Sequence, residues 1–143
     1  MQQRFLTGLA LCTMSLVCCC FTTSLLRAAD PIPSRIEFNR DIRPILANNC
    51  FKCHGPDEKK RQSDLRLDLP EKALAIRDGE AAIVPGKPDQ SALITRILAD
   101  SDEERMPPKD SGKFLTSRDK ELLQAWIQQG AKWQEHWAWI PPR

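Results

Sequence analysis

The sequence predicts a small all-α domain, and three observations predict it. Apolar residues recur at helical spacing in several separate runs of the 143-residue chain, so each run turns one stripe toward a core. No stretch shows strong strand alternation, an internal repeat or low complexity. Once an N-terminal leader is set aside, there is room for one small domain. At that size the core is marginal, and disulfides, a metal or a cofactor usually supply the missing stabilisation.

Residues 1–29 read as a leader. Arg4 makes its positive end, Gly8 to Phe21 is apolar over the length of a signal-peptide core, and Ala28 and Ala29 offer small residues for cleavage. The apolar run is short for a membrane span. Leu26 and Arg27 break a clean A-x-A pattern, so an uncleaved N-terminal anchor is the alternative. The expectation is an exported, periplasmic protein that meets a membrane only through such a leader. Of 6 cysteines, Cys12, Cys18, Cys19 and Cys20 lie in this segment, which leaves Cys50 and Cys53. A net charge of +2 is too weak to argue for nucleic acid or an anionic surface as partner.

The elements follow in order. Residues 30–35, with Pro31 and Pro33, read as a linker. Phe38, Ile42, Ile45 and Leu46 predict a first helix, with Asn39 as N-cap and Pro44 near its start. It runs into residues 50–54 and is stopped by Gly55-Pro56. Asp57 to Arg61 reads as a solvated loop. Leu65, Leu67 and Leu69 alternate with Arg66 and Asp68, which predicts an extended stretch or brief strand. Asp68 to Glu71 resembles a capping box for a short helix to about Arg77, with Gly79 as its stop. Val84 to Pro88 is a turn. Asp89 is placed to cap a helix whose face is Leu93, Ile94, Ile97 and Leu98. Thr116 and Asp119 open the last helix, with Leu122, Leu123, Trp126 and Ile127 on one stripe and Gly130 at its end.

The chemistry lies where the first helix ends. Cys50-Phe51-Lys52-Cys53-His54 is C-x-x-C-H, the signature of covalent haem c attachment. On a helix, positions i and i+3 share a face, so two thiols reach the two vinyl groups of one porphyrin. His54, at i+4, shares that face and directs its imidazole at the iron. Three other readings compete. A thioredoxin-like redox pair wants a βαβ surround, which is not visible. A zinc site wants four ligands, and beyond the leader there are only Cys50, Cys53, His54 and a remote His136. A plain disulfide leaves His54 without a role. One haem c per chain is the expected cofactor, and it fills a centre that side chains are too few to fill.

Met106 is the candidate sixth iron ligand. It is the sole methionine beyond the leader and sits between Arg105 and Pro107-Pro108, outside any helical stripe. Prolines stiffen a loop that presents its thioether, and His/Met ligation raises a haem's reduction potential. A partly exposed loop methionine is the plainer reading. His136, in the tryptophan-rich tail from Trp133 to Trp139, is the rival ligand or a packing residue.

These residues resemble a known family, the planctomycete-type cytochrome c domain, itself similar to class I cytochromes c. The resemblance rests on Phe38, Asp41, Ile42, Pro44, Ile45 and Leu46, then Cys50, Cys53, His54, Gly55 and Pro56. Leu65-Arg66-Leu67-Asp68, Ile83 to Pro88, Ser91, Leu93, Met106-Pro107-Pro108, Leu115-Thr116 and the run Trp126, Ile127, Gly130, Ala131, Trp133 continue it. Asp64 departs from it, because the family usually has glycine before the Leu-Arg-Leu-Asp run. The resemblance implies a class I cytochrome c-like haem domain over residues 36–133 that transfers electrons. It implies a redox partner protein or a fused downstream domain, with residues 134–143 as a Trp/Pro-rich tail leading to it. In that reading the chain is the front module of a larger multidomain protein and an electron carrier more than an enzyme. A peroxidase-like haem enzyme or ligand sensor with an open sixth site, or a structural haem, is the alternative.

Overall fold

Proline decides how the first helix begins. In the computed structural model, which describes residues 30–135, a π-helical turn over Phe38–Ile42 passes directly into helix α1, Arg43–Asn49. Pro44 sits in the first turn of α1. It has no N–H to give to the preceding turn, so the regular ladder starts only after it and the turn before it is wider. Phe38, Ile42, Ile45 and Leu46 are all buried, as their spacing predicts. Asn39 does not cap this helix. The backbone N–H of Glu37 is taken instead by the Asp41 carboxylate at 2.8 Å, and Asn39 is turned toward the tail.

The chain divides between Asp30 and Pro31, and the helices and strands of the described residues all lie in the unit from Pro31 onward. The expected leader and His136 lie outside the described residues, as do Trp137 and Trp139.

After α1 the backbone breaks at Cys50 and resumes as α2, Phe51–His54. An irregular segment then leads to α3, Pro70–Ala73. The expected helix to Arg77 is therefore shorter. Its Asp68 carboxylate is held by Arg66 at 3.1 and 2.5 Å, so it does not cap, and Pro70 supplies the preset first-turn geometry instead. Residues Ile76–Arg77 and Glu80–Ala81 form β1 and β2, one antiparallel pair. Asp78 and Gly79, at φ 49° and 90°, make its two-residue turn, which corrects the reading of Gly79 as a helix stop. Among the described residues the fold is thus mainly helical with one small hairpin, rather than free of strands. Leu65 to Leu69 runs irregularly and joins no strand.

The Val84–Lys87 turn closes with Lys87 N–H on Val84 O at 3.0 Å, and Gly86 takes the left-handed φ of 79° that it needs. A 3₁₀ turn, Pro88–Gln90, precedes α4, Ala92–Leu98. Asp89 lies inside that turn and caps nothing. Ser91, fully buried, stands at the N-cap, but its hydroxyl accepts from Val84 N–H and donates to Lys87 O, both at 2.9 Å. It ties the turn to the helix. Leu93, Ile94 and Ile97 are buried, whereas Leu98 is 46% exposed and leaves the predicted face.

Helix α5, Ser117–Gln128, carries the predicted capping box, with Thr116 Oγ1 accepting from Asp119 N–H and the Asp119 carboxylate accepting from Thr116 N–H. It ends at Gly130, φ 94°. Ala131 N–H reaches Trp126 O and Gly130 N–H reaches Ile127 O, both at 2.9 Å, which is the Schellman closure. α5 packs against α4 and against the π-helical turn. The core runs through Ile42, Leu46, Ile83, Leu123, Trp126 and Ile127. Among the described residues no helix is long and apolar enough to cross a membrane.

Candidate functional site

The predicted attachment residues fall on one helical turn. His54 N–H bonds Cys50 O at 2.8 Å and Cys53 N–H bonds the same carbonyl at 3.1 Å, so Cys50, Cys53 and His54 are gathered as the i, i+3, i+4 spacing requires. Cys50 directly succeeds α1 and packs against the core. Both cysteines are free thiols, not a disulfide. Burial pushes the Cys50 thiol up to about 12, with Cys53 adding to the rise. Among the described residues no group of three or more His, Cys, Asp or Glu side chains is placed to hold a bare metal ion.

His54 is half-buried. Burial holds its imidazole below the usual histidine range, so the ring is neutral and its nitrogen lone pair is free to ligate at neutral pH. A backbone hydrogen bond at Gln62 acts on the ring and works against that lowering. Two unpaired thiols and a neutral imidazole on one turn are the donor set that a covalently attached haem requires, and the residues present fit that group.

The segment after His54 returns to hold this turn. Four consecutive carbonyls, the last two of α2 and the two that follow it, each accept a hydrogen bond from the returning chain. Cys53 O takes Gln62 N–H at 2.8 Å and His54 O takes Leu67 N–H at 2.9 Å. Gly55 O takes Arg61 Nε at 3.1 Å and Pro56 O takes an Arg61 terminal nitrogen at 3.2 Å. A helix leaves its last carbonyls without internal partners, and here the chain from Arg61 to Leu67 supplies partners for the last two of α2 and for the two that follow it. Arg61 was expected in a solvated run, yet its side chain is only 14% exposed. Gly55 is buried for a separate reason. A Cβ there would lie 2.3 Å from Phe51 O, so only glycine lets the chain leave α2 at that angle. Ser63 and Asp64 turn the chain with φ of 51° and 23°, so the position where the family usually has glycine does lie at a left-handed bend.

Sequence reasoning missed Arg61, Gln62 and the return through Leu67. Nothing in a charged run marks one arginine as inward-facing, because its acceptors are backbone carbonyls present in every residue. Gly55-Pro56 was read only as a helix stop.

Met106 lies on a different stretch. Its N–H bonds Arg96 O at 3.0 Å, just before the end of α4, and its peptide bond to Pro107 is cis. Its side chain is 36% exposed. It borders a cleft of about 370 Å³ together with Ile97, Phe114 and Leu115, and Lys113 and Lys120 stand at the same cleft. Cys50, Cys53 and His54 are not among the residues that border it.

The tail joins the fold at its other end. Trp133 packs against Phe38 and Trp126 with ring centroids 5.7 and 4.7 Å away. Asn39 N–H donates to Gln134 Oε1 at 2.9 Å and Asn39 Nδ2 donates to Glu135 O at 2.7 Å.

Against known proteins, residues 50–110 match the family model of Planctomycete cytochrome C, which bears out the resemblance read from the sequence over that span. The Kuenenia stuttgartiensis protein Hydrazine Synthase is similar in structure with a TM-score of 0.44 and 23% identity, over 68% of this chain and 16% of that one. The chain thus spans a small fraction of that protein's length. No curated protein matches the chain.

Proposed function

We propose that the chain, whose residues 50–110 are similar to Planctomycete cytochrome C, carries one haem c and passes electrons to a partner. The observation that carries this reading is the α2 turn, where two free thiols stand beside a half-buried imidazole. Cys50 and Cys53 would hold the group as thioethers. His54 and Met106 would be the residues that ligate its iron. The group, when bound, supplies an iron that changes oxidation state by one electron.

The remaining roles belong to the chain. Leu46, Leu67 and Ile97 are buried and would exclude water from the porphyrin. The hydrogen-bonded end of α2 would hold the turn that carries His54. A thioether from Met106 would close the sixth position against substrates and raise the potential. We place the protein outside the cytoplasm, because the leader and haem c attachment both call for export. Its partner is a redox protein or a domain fused downstream.

Expression in a host competent for cytochrome maturation tests the reading. The expected product gains the mass of one haem and loses it when Cys50 and Cys53 are both changed to Ala. The reduced spectrum is low-spin, and Met106→Ala removes the methionine–iron charge-transfer band. A colourless product at bare polypeptide mass would sink the proposal.

One observation favours a second reading. Met106 is 36% exposed on its own cleft, which suits a displaceable ligand and a sensor or peroxidase-like site. Rapid carbon monoxide binding to the wild-type reduced protein, with a high-spin resting spectrum, would select it.

A further inference from the structure

Two clefts of nearly equal size, about 360 and about 370 Å³, open on the described surface and carry opposite charge. The first is bordered by Glu80 and Asp89 and by no cation, with Ala81, Val84 and Ala92 as its apolar lining. The second, beside Met106, is bordered by four cations and no carboxylate, with Ile97 and Leu115 as its apolar lining. Two of those cations, Arg105 and Lys109, are already taken by Asp102. Lys113 and Lys120 are not. Neither they nor Glu80 and Asp89 join an ion pair among the described residues.

The most exposed large apolar side chains among the described residues stand at these same clefts. Ile76, 75% exposed, borders the acidic one, and Phe114, 78% exposed, borders the basic one. A single exposed apolar residue is ordinary. An apolar side chain at a cleft rimmed by unpaired charge of one sign is the pattern of an interface, with an apolar centre and a polar rim. Here the pattern occurs twice, with the signs reversed. A foreign partner would account for one cleft, whereas a second copy of this chain supplies the complement of both. A net charge of +2 offers little overall repulsion to keep copies apart.

We propose that copies of the chain associate head to tail, with Phe114, Lys113 and Lys120 of one copy meeting the Ile76, Glu80 and Asp89 cleft of the next. Two different surfaces meet, so the contact is heterologous, and the copies at the two ends each keep one cleft free for further growth. Burial of Phe114 and Ile76 supplies the affinity, and the charges set orientation and encounter rate. The contact needs no haem. On the haem reading it also brings Met106, which borders the basic cleft, up against the next copy.

Sedimentation velocity across a concentration series tests it, on the chain produced in a host competent for cytochrome maturation. The wild-type chain is expected to sediment faster as its concentration rises. The effect is expected to shrink at about 1 M salt, where the screening length is about 3 Å against about 10 Å at about 0.1 M. Phe114→Ala is expected to weaken the association about tenfold, as loss of a central aromatic anchor does. Two charge reversals decide the pairing. Glu80→Lys with Asp89→Lys leaves only cations unpaired at both clefts, and Lys113→Glu with Lys120→Glu leaves only carboxylates. Each reversed chain alone is expected to stay monomeric, and an equimolar mixture of the two is expected to associate again. A wild-type chain that is monomeric at millimolar concentration overturns the proposal. So does a mixture that stays monomeric, or a reversed chain that associates as wild type does. Association confined to an added acidic protein, with wild type alone monomeric, assigns the basic cleft to a foreign partner and overturns it too. If one reversed chain does not accumulate, the other reversal and Phe114→Ala decide by the same measurement. Haem content is read separately by mass, so a colourless chain that associates sinks only the haem reading, and a haem-loaded monomer sinks only this one.

Discussion

At the scale of single residues, the position after His54 makes the sharpest demand. Gly55 is buried at φ −131°, a conformation open to any residue, so its requirement is space and not backbone freedom. An added Cβ meets Phe51 O at 2.3 Å and Phe51 Cβ at 2.9 Å. The carbonyl cannot give way without opening α2. Gly55→Ala is therefore expected to cost about 1–3 kcal/mol, the range for forcing a methyl group into a packed site. Urea unfolding measures it, and the fraction of chains carrying haem is expected to fall in parallel, since the same turn presents both thiols. Wild-type stability in this variant would mean that the exit angle is softer than its contacts indicate. The attachment residues were legible at this scale because their geometry is local and needs only a count of three and four residues along a helix. The hold of Arg61 on the Gly55 and Pro56 carbonyls was not legible. Arg61 sits in a run of charges that looks like solvated surface, and its acceptors are carbonyls, which no residue letter announces.

Among the elements, legibility depended on how much of the signal was in the side chains. The Thr116–Asp119 box and the Gly130 closure were both readable, because capping uses specific side chains and a specific φ. The hairpin was hidden although Asp78-Gly79 is a strong two-residue turn signal, because β1 and β2 are two residues each and too short to alternate. At the start of the first helix, Asn39 was the better cap by residue type, yet no side chain caps that end, and Asp41 instead accepts from the Glu37 N–H. Asp41 has a second partner, and that gives it a pH dependence. Its carboxyl is held below the usual carboxylate range chiefly by the hydrogen bond from the Arg40 guanidinium, with the Glu37 N–H helping and burial opposing. A group whose folded value is depressed adds stability above its unfolded value, near ~3.9, and loses it as pH falls through the folded one. The urea midpoint of the wild-type chain is therefore expected to hold steady from neutral pH to about 5 and to drop below about 4. Asp41→Asn is expected to start lower at neutral pH and to drop less. Asp57 and Asp102 are also held below the usual range by Lys60 and Lys109, but they are exposed, and solvent and salt screen them. An equal acid drop in Asp41→Asn and wild type would mean that other carboxylates set the acid limb.

For the whole molecule, the question is what closes a core this small. The first and last helices meet through Phe38 and Trp126, with centroids 5.6 Å apart. The chain after Gly130 then turns back over that junction. Trp133 completes a three-ring cluster, edge-on to Trp126 at 73°, and Asn39 bonds the two residues after it. The sequence showed a tryptophan-rich tail but no sign that it folds onto the front of the domain, because the contacts join residues more than ninety positions apart. Trp133 carries a cost with its gain, since its Nε1 is buried with no partner among the described residues. Aromatic burial and ring contact stabilise, while an unsatisfied buried donor costs about 1–3 kcal/mol. Two substitutions separate these terms. Trp133→Ala removes both and leaves a gap beside Phe38 and Trp126. It is expected to cost about 3 kcal/mol, the low end for large aromatic-to-alanine changes because the residue is partly exposed. Trp133→Phe keeps a ring on the cluster and removes the orphaned donor, so the smaller ring's loss is largely offset and the change stays within about 1 kcal/mol of wild type. Thermal unfolding of the three chains checks it, with about 4–8 °C of midpoint expected per kcal/mol in a domain of this size. If Trp133→Phe proves as damaging as Trp133→Ala, the indole nitrogen has a partner that matters and the tail is held by a hydrogen bond as well as by packing.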